Sequence, residues 1–239
     1  MDRQYSFEDF VGIVAALRGE NGCPWDREQT HKSLRPCMME EAAELVSSIR
    51  IYEDTGNAEN MREELGDILL QVVMHSQIAK EEGLFTLEDV VNDISAKMVR
   101  RHPHVFGKQV QVEGSGEVLA NWDEIKRKEK EGKTWIESPL REIPKELPAL
   151  TRAPKVLKKV DKLYEAGDSY SDNVQKLEQI VAKMKEWKPG TDNMQLENMI
   201  GDILIRISDI ARLYRISQEQ ILADKIEDLI ERYEPMPKP

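Results

Sequence analysis

Leu65-Gly66-Asp67-Ile68-Leu69-Leu70 returns in the second half of the chain as Ile200-Gly201-Asp202-Ile203-Leu204-Ile205. Each copy lies in a long run whose apolar residues recur every three to four positions, the period of a helix with one buried face. Each run is flanked by another helical run on either side, and Arg101 and Arg232 fall near the ends of the two sets. Self-similarity of this kind reads as two copies of one helical unit.

Outward from the first copy, the pattern is helix after helix. The run 58–82 is closed by Gly83, and the run 30–52 before it ends at Asp54-Thr55-Gly56-Asn57. Further upstream, Asn21-Gly22-Cys23-Pro24-Trp25-Asp26 reads as a turn-rich loop, because Gly and Pro interrupt helices. Residues 7–17 form an opening helix with Phe7, Phe10, Val11, Val14 and Leu17 on one side. Downstream, Thr86-Leu87-Glu88-Asp89 supplies an N-cap with acids in the first turn of a helix to Arg101. His102-Pro103 stops it, since proline disfavours helix at the residue before it. Ser115 is a candidate cap for a charged helix over 115–131, and three prolines within 132–148 mark a linker. Helices resume over 148–166, 171–187, 192–214 and 217–233, the last opened by Ser217-Gln218-Glu219-Gln220 in the form of a capping box. No alternating strand pattern appears. The expected fold is all-α, in tandem helical-bundle units: an N-terminal unit over 1–110, a helical linker region over 111–147 and a C-terminal unit over 148–239.

Composition narrows the function. The 239 residues are 40% hydrophobic and 33% charged, which is globular. No apolar run approaches the roughly 20 residues that span a bilayer, and the N-terminal residues carry no apolar signal region. No membrane partner and a cytoplasmic location are expected. Cys23 and Cys37 make no disulfide framework. A net charge of -11 argues against nucleic acid as a partner. A small polyanion can approach only where cations or a local basic cluster reverse the field.

Four acids stand out: Glu41 and Glu44 on one helix, Glu64 and Asp67 on the next. Each pair is spaced i, i+3 and so projects from one side of its helix. Acids number 45 of 239 residues, so spacing alone also suits a solvated helix face. The helical wheel adds weight, because both pairs border the apolar stripe of their helix at the same angle. Stripes that pack together would bring the four carboxylates together at the border, where they repel unless cations sit between them. An all-oxygen set without Cys or His favours Mg²⁺, with Mn²⁺ as a substitute. On the following helix Lys97, Arg100 and Arg101 lie at i, i+3 and i+4, a basic face suited to phosphate or, equally, to the negative end of the helix dipole.

These residues carry a family resemblance. Gly22-Cys23-Pro24-Trp25-Asp26, Gln29-Thr30, Glu40-Glu41-Ala42-Ala43-Glu44, Glu64-Leu65-Gly66-Asp67 and Arg100-Arg101-His102-Pro103-His104-Val105-Phe106 together resemble the MazG nucleoside triphosphate pyrophosphohydrolases. Val118-Leu119-Ala120-Asn121-Trp122 and Leu147-Pro148-Ala149-Leu150 look like the family's middle region. The resemblance implies tandem four-helix-type units, commonly dimeric, that hydrolyse nucleoside triphosphates to monophosphate and pyrophosphate with Mg²⁺. It implies Glu41, Glu44, Glu64 and Asp67 as metal-binding and catalytic residues, with Lys97, Arg100 and Arg101 on the phosphates. A role in nucleotide-pool sanitation follows from the same resemblance. Glu40 and Glu41 are both candidates to orient the water. In the second half the acidic pattern fails: Ile180 and Lys183 stand where the first pair belongs, and Met199 precedes Asp202. The competing expectation is therefore a non-catalytic helical dimer that binds nucleotide or a protein partner.

Overall fold

A computed structural model describes residues 4–107, 138–188 and 193–235, together with Gly114, Trp122, Ile125 and Glu129. Among the described residues the secondary structure is helical and contains no strand. The chain forms two compact units, Met1–Glu129 and Lys130–Pro239. The charged helix expected over 115–131 lies largely outside the described residues.

The N-terminal unit contains α1 (Phe7–Arg18), α2 (Pro24–Glu28), α3 (Arg35–Thr55), α4 (Glu59–Glu81), α5 (Leu87–Arg101) and the single turn α6 (Pro103–Phe106). Its centre is the α3–α4 hairpin, against which α1 and α5 pack through α4. Ser6 and Thr86 close reciprocal capping boxes with Asp9 and Asp89, fixing the starts of α1 and α5. Gly56 ends α3 with φ 72°, a left-handed conformation that costs glycine nothing. Two local expectations change. The loop at 21–26 holds a short helix, because Pro24 stands in its first turn, where the missing N–H is no loss. A Cβ on Gly22 would collide with the carbonyl oxygens of Ala16 and Leu17, which explains the glycine there. The helix expected from residue 30 begins at Arg35 instead. Thr30 and Ser33 hydrogen-bond each other's backbone N–H through their side chains, and this turn competes with helix.

The core of this unit is Val14, Leu34, Val73, Met74 and Ile78, flanked by Phe10, Val11, Cys37, Leu70 and Leu87. Leu34 and Cys37 precede Glu41 on the α3 side, while Val73 and Met74 follow Asp67 on α4, so the packed end of the hairpin adjoins the acids. Arg18, with its side chain 6% exposed, anchors that end. It donates to Glu81 of α4 and to the carbonyls of Asp26 and Gln29, tying α1, α2 and α4 together.

Beside it His31 stacks on His75 of α4, with ring centroids 5.0 Å apart and planes within 4°. Their Nδ1 atoms are 2.8 Å apart, so one ring donates and the other must keep a bare nitrogen. Glu82 lies 3.7 Å from His31 Nε2. Burial first, and the neighbouring His31 second, hold His75 below the ordinary imidazole range. The unfolded chain then takes up the His75 proton at a higher pH than the folded one. Stability from this group is complete above the unfolded value of about 6.5 and is lost as pH falls below it. The melting temperature should therefore drop between pH 7.5 and 5.5, and His75→Gln should flatten that drop. Thermal melts across this range check it; an unchanged slope in the variant would contradict it.

The C-terminal unit contains α7 (Ala149–Tyr164), α8 (Tyr170–Glu186), α9 (Asn193–Leu213) and α10 (Gln218–Tyr233). Here α9 packs on α7 and α8, and α10 on α7. A capping box forms at Ser169 with Asp172, two residues before the expected start of α8. Ser217 is the N-cap of α10 but makes no side-chain cap bond, so the capping box expected at 217–220 does not form. Gln218 instead turns inward, donating to the Leu150 carbonyl at 2.5 Å and to Ser208 Oγ at 2.8 Å. The interior of this unit is unusually polar, with Asn173, Ser208 and Asp209 all at most 2% exposed. Asp209 accepts from Asn173 Nδ2 at 2.8 Å and from Arg212 Nε at 2.6 Å, and Arg212 reaches Asp161 at 2.9 Å.

Candidate active site

The α3–α4 hairpin brings Glu41, Glu64 and Asp67 together: each offers an oxygen, and the three oxygens lie within 4.8 Å of one another. All three side chains are half-buried. Glu44 is exposed and outside this triplet, although its charge and a hydrogen bond to Glu41 act on it. Burial first, then the charges of Asp67, Glu44 and Glu64, push the Glu41 carboxyl above the ordinary carboxylate range. A proton on Glu41 relieves repulsion; a bound cation relieves it more fully and would restore the carboxylate. The donor set fits a hard divalent cation, being all oxygen, converging and short of positive charge. Among the described residues this is the one place where three Asp, Glu, His or Cys ligand atoms come so close.

Asn60, one turn before Glu64, donates from Nδ2 to Glu64 Oε1 at 2.7 Å and fixes that carboxylate. Sequence reading passed over it, although its i, i+4 spacing to Glu64 was visible. Glu40, the other candidate to orient water, is exposed on α3.

On α5, Lys97 is half-buried and has no ion-pair partner among the described residues. Arg100 and Arg101 converge on Glu129. Arg100 holds Oε1 through Nε at 2.8 Å and Nη2 at 2.6 Å. Arg101 holds Oε2 through Nε at 3.0 Å and through Nη2. The Arg101 guanidinium also stacks over the Trp122 ring, 5.6 Å from its centroid, within the range of a cation–π contact. The two arginines, Arg101 foremost, hold Glu129 well down, at about 2. His102 donates from Nδ1 to the Met98 carbonyl at 2.7 Å and ends α5 as a C-cap, and its ring centroid lies 5.7 Å from that of His104.

In the C-terminal unit Asp202 is exposed on α9, Lys183 is exposed on α8, and Ile180 and Met199 are half-buried. These side chains offer one carboxylate where the first unit offers three in a cluster.

An antiparallel helical hairpin with paired acids on its two arms defines a class. Residues 29–106 match the family model described as the MazG nucleotide pyrophosphohydrolase domain. Over 96% of its length the chain is 39% identical to the "Nucleoside triphosphate pyrophosphohydrolase/pyrophosphatase MazG" of Thermotoga maritima, covering 85% of that protein. It is also 39% identical to the "Nucleoside triphosphate pyrophosphohydrolase" of Escherichia coli K12, over 92% of this chain and 82% of the relative. It is 45% identical to the "Uncharacterized protein YabN" of Bacillus subtilis over 91% of this chain, spanning 43% of that longer protein. The chain belongs to the MazG family, a family of hydrolases.

Proposed function

We propose that this protein hydrolyses nucleoside triphosphates to monophosphate and pyrophosphate, with Mg²⁺ or Mn²⁺ held by Glu41, Glu64 and Asp67 and with Glu44 at the edge of the set. The observation that carries this reading is the convergence of the three carboxylates within 4.8 Å, beside family membership. A triphosphate carries about four negative charges at neutral pH, and an acidic cluster repels it unless cations intervene. Glu41, Glu64 and Asp67 would hold a divalent cation there, which would supply charge neutralisation for the phosphates and so favour attack by water at phosphorus. Asn60 keeps Glu64 oriented, Glu40 or Glu41 orients the attacking water, and Lys97, Arg100 and Arg101 hold the phosphates and the departing pyrophosphate. One water is consumed, the bridge between the α- and β-phosphates breaks, and pyrophosphate leaves intact.

Catalysis belongs to the N-terminal unit, and the C-terminal unit is its structural partner. Val46, Ile49, Leu65, Leu69 and Val72 are each at least 37% exposed on the hairpin that carries the acids. A second copy of the chain covering this apolar face makes a homodimer. Removal of unwanted nucleotides in the cytoplasm is the physiological role this reaction suits. The test is incubation with a panel of nucleoside triphosphates and Mg²⁺, separating pyrophosphate from orthophosphate. Pyrophosphate release that stops in excess chelator is the expected result. Orthophosphate release, or full activity in chelator, overturns the proposal.

A further inference from the structure

Glu129 lies far in sequence from α5, yet its two oxygens divide two adjacent arginines between them. Oε1 takes the Nε–Nη2 edge of Arg100, and Oε2 takes the same edge of Arg101. The Glu129 side chain is 13% exposed, and that of Arg101 is 14% exposed. Arg100 is 53% exposed. One face of Arg101 is covered by Trp122. Among the described residues neither guanidinium bonds through Nη1, and that edge is what each offers another ligand.

We propose that Glu129 is a positioning residue for polyphosphate: it holds Arg100 and Arg101 side by side so that their remaining edges, with Lys97, form one preset anion site. This rests on the reading of α5 as the phosphate-binding helix. Two guanidiniums on successive residues repel each other, and each side chain has several rotatable bonds. A shared carboxylate removes the repulsion and the rotamer freedom together, so a phosphate meets both donors already in place.

The opposite outcome has a physical basis too. Glu129 is itself an anion, and removing it leaves the patch more positive. At an exposed Arg100 that gain is screened within roughly 10 Å at 0.1 M salt. Order lost from two side chains at once is not recovered by salt, so positioning outweighs neutralisation, and the sign of the effect on affinity decides between them.

The test uses the full chain with Glu129→Gln and the milder Glu129→Asp, which keeps the charge on a shorter stem. For triphosphate hydrolysis, Glu129→Gln should raise KM by about tenfold with kcat changed much less, because the contact acts on binding. Inhibition by inorganic triphosphate should weaken by a similar factor, and Glu129→Asp should fall between. A merely structural contact would lower the melting temperature and leave KM and inhibition unchanged, which overturns the proposal. Tighter binding of inorganic triphosphate to Glu129→Gln also overturns it and marks Glu129 as a competing counter-ion. Should Glu129→Gln not fold, an unchanged KM in Glu129→Asp has the same force. Calorimetric binding of inorganic triphosphate separates this inference from the reaction on which it rests. Binding by the wild type that weakens in the variants supports the positioning role even where no nucleotide is cleaved, and absence of such binding by the wild type overturns it.

Discussion

Glu64→Gln or Asp67→Asn is expected to cut triphosphate hydrolysis by on the order of 10²–10³-fold or more while the helices stay folded. Both substitutions keep the side chain's size. Glu64→Gln also keeps the Oε1 that accepts from Asn60, so the orientation of the group survives and its charge does not. The cluster at 41, 64 and 67 stores repulsion among oxygens within 4.8 Å of one another. Deleting one charge weakens cation binding and relaxes that repulsion. After screening by water about 1 kcal/mol of relief remains, enough to raise the metal-free melting temperature by about 2–4 °C. The same variants should gain less from added Mg²⁺ than the wild type does. Steady-state kinetics and melts with and without Mg²⁺ check both parts; near-normal turnover in either variant would show that the cation is held elsewhere.

In the C-terminal unit the largest effect is expected from Asp209→Ala, a loss of about 3–5 kcal/mol of stability. Asp209 is 2% exposed and is the shared acceptor for Asn173 and Arg212. Its removal strands the Arg212 guanidinium, itself 12% exposed, with the half-exposed Asp161 as its one remaining counter-charge among the described residues. Asp202→Ala, two turns earlier on the same helix and exposed, should change stability by less than about 0.5 kcal/mol and leave hydrolysis intact. Denaturant melts of the two variants side by side make the comparison. A small loss in Asp209→Ala would show that the polar interior is not what holds α7, α8 and α9 together.

The all-α fold was legible because amphipathic period and caps are local, and the long runs around Asp67 and Asp202 leave little room for strands. Element ends were less legible where side chains compete with backbone. Thr30 and Ser33 delay α3, Pro24 starts a turn of helix where it seemed to forbid one, and Gln218 spends its amide on Leu150 and Ser208 rather than on a cap. The acids at 41, 64 and 67 could be read from their position beside the apolar stripe. Glu129 could not, because its partners lie 28 and 29 residues away and nothing local marks it among many surface acids. The His31–His75 stack, 44 residues apart in sequence, was hidden for the same reason. Buried Asp209 was hidden by a different one: on the α9 wheel it lies opposite the apolar stripe of Ile200, Ile203, Leu204 and Ile207, where periodicity assigns an acid to solvent, and only its partners explain its burial.

Cation binding by the first unit's carboxylates, on which the proposed hydrolysis depends, is tested most directly by Mn²⁺ binding followed by electron paramagnetic resonance, with Mg²⁺ as competitor, on the full chain and on Glu64→Gln and Asp202→Ala. The expected result is Mn²⁺ taken up by the wild type and by Asp202→Ala, displaced by Mg²⁺, and largely lost in Glu64→Gln. Undiminished binding in Glu64→Gln, or binding lost in Asp202→Ala, would contradict it.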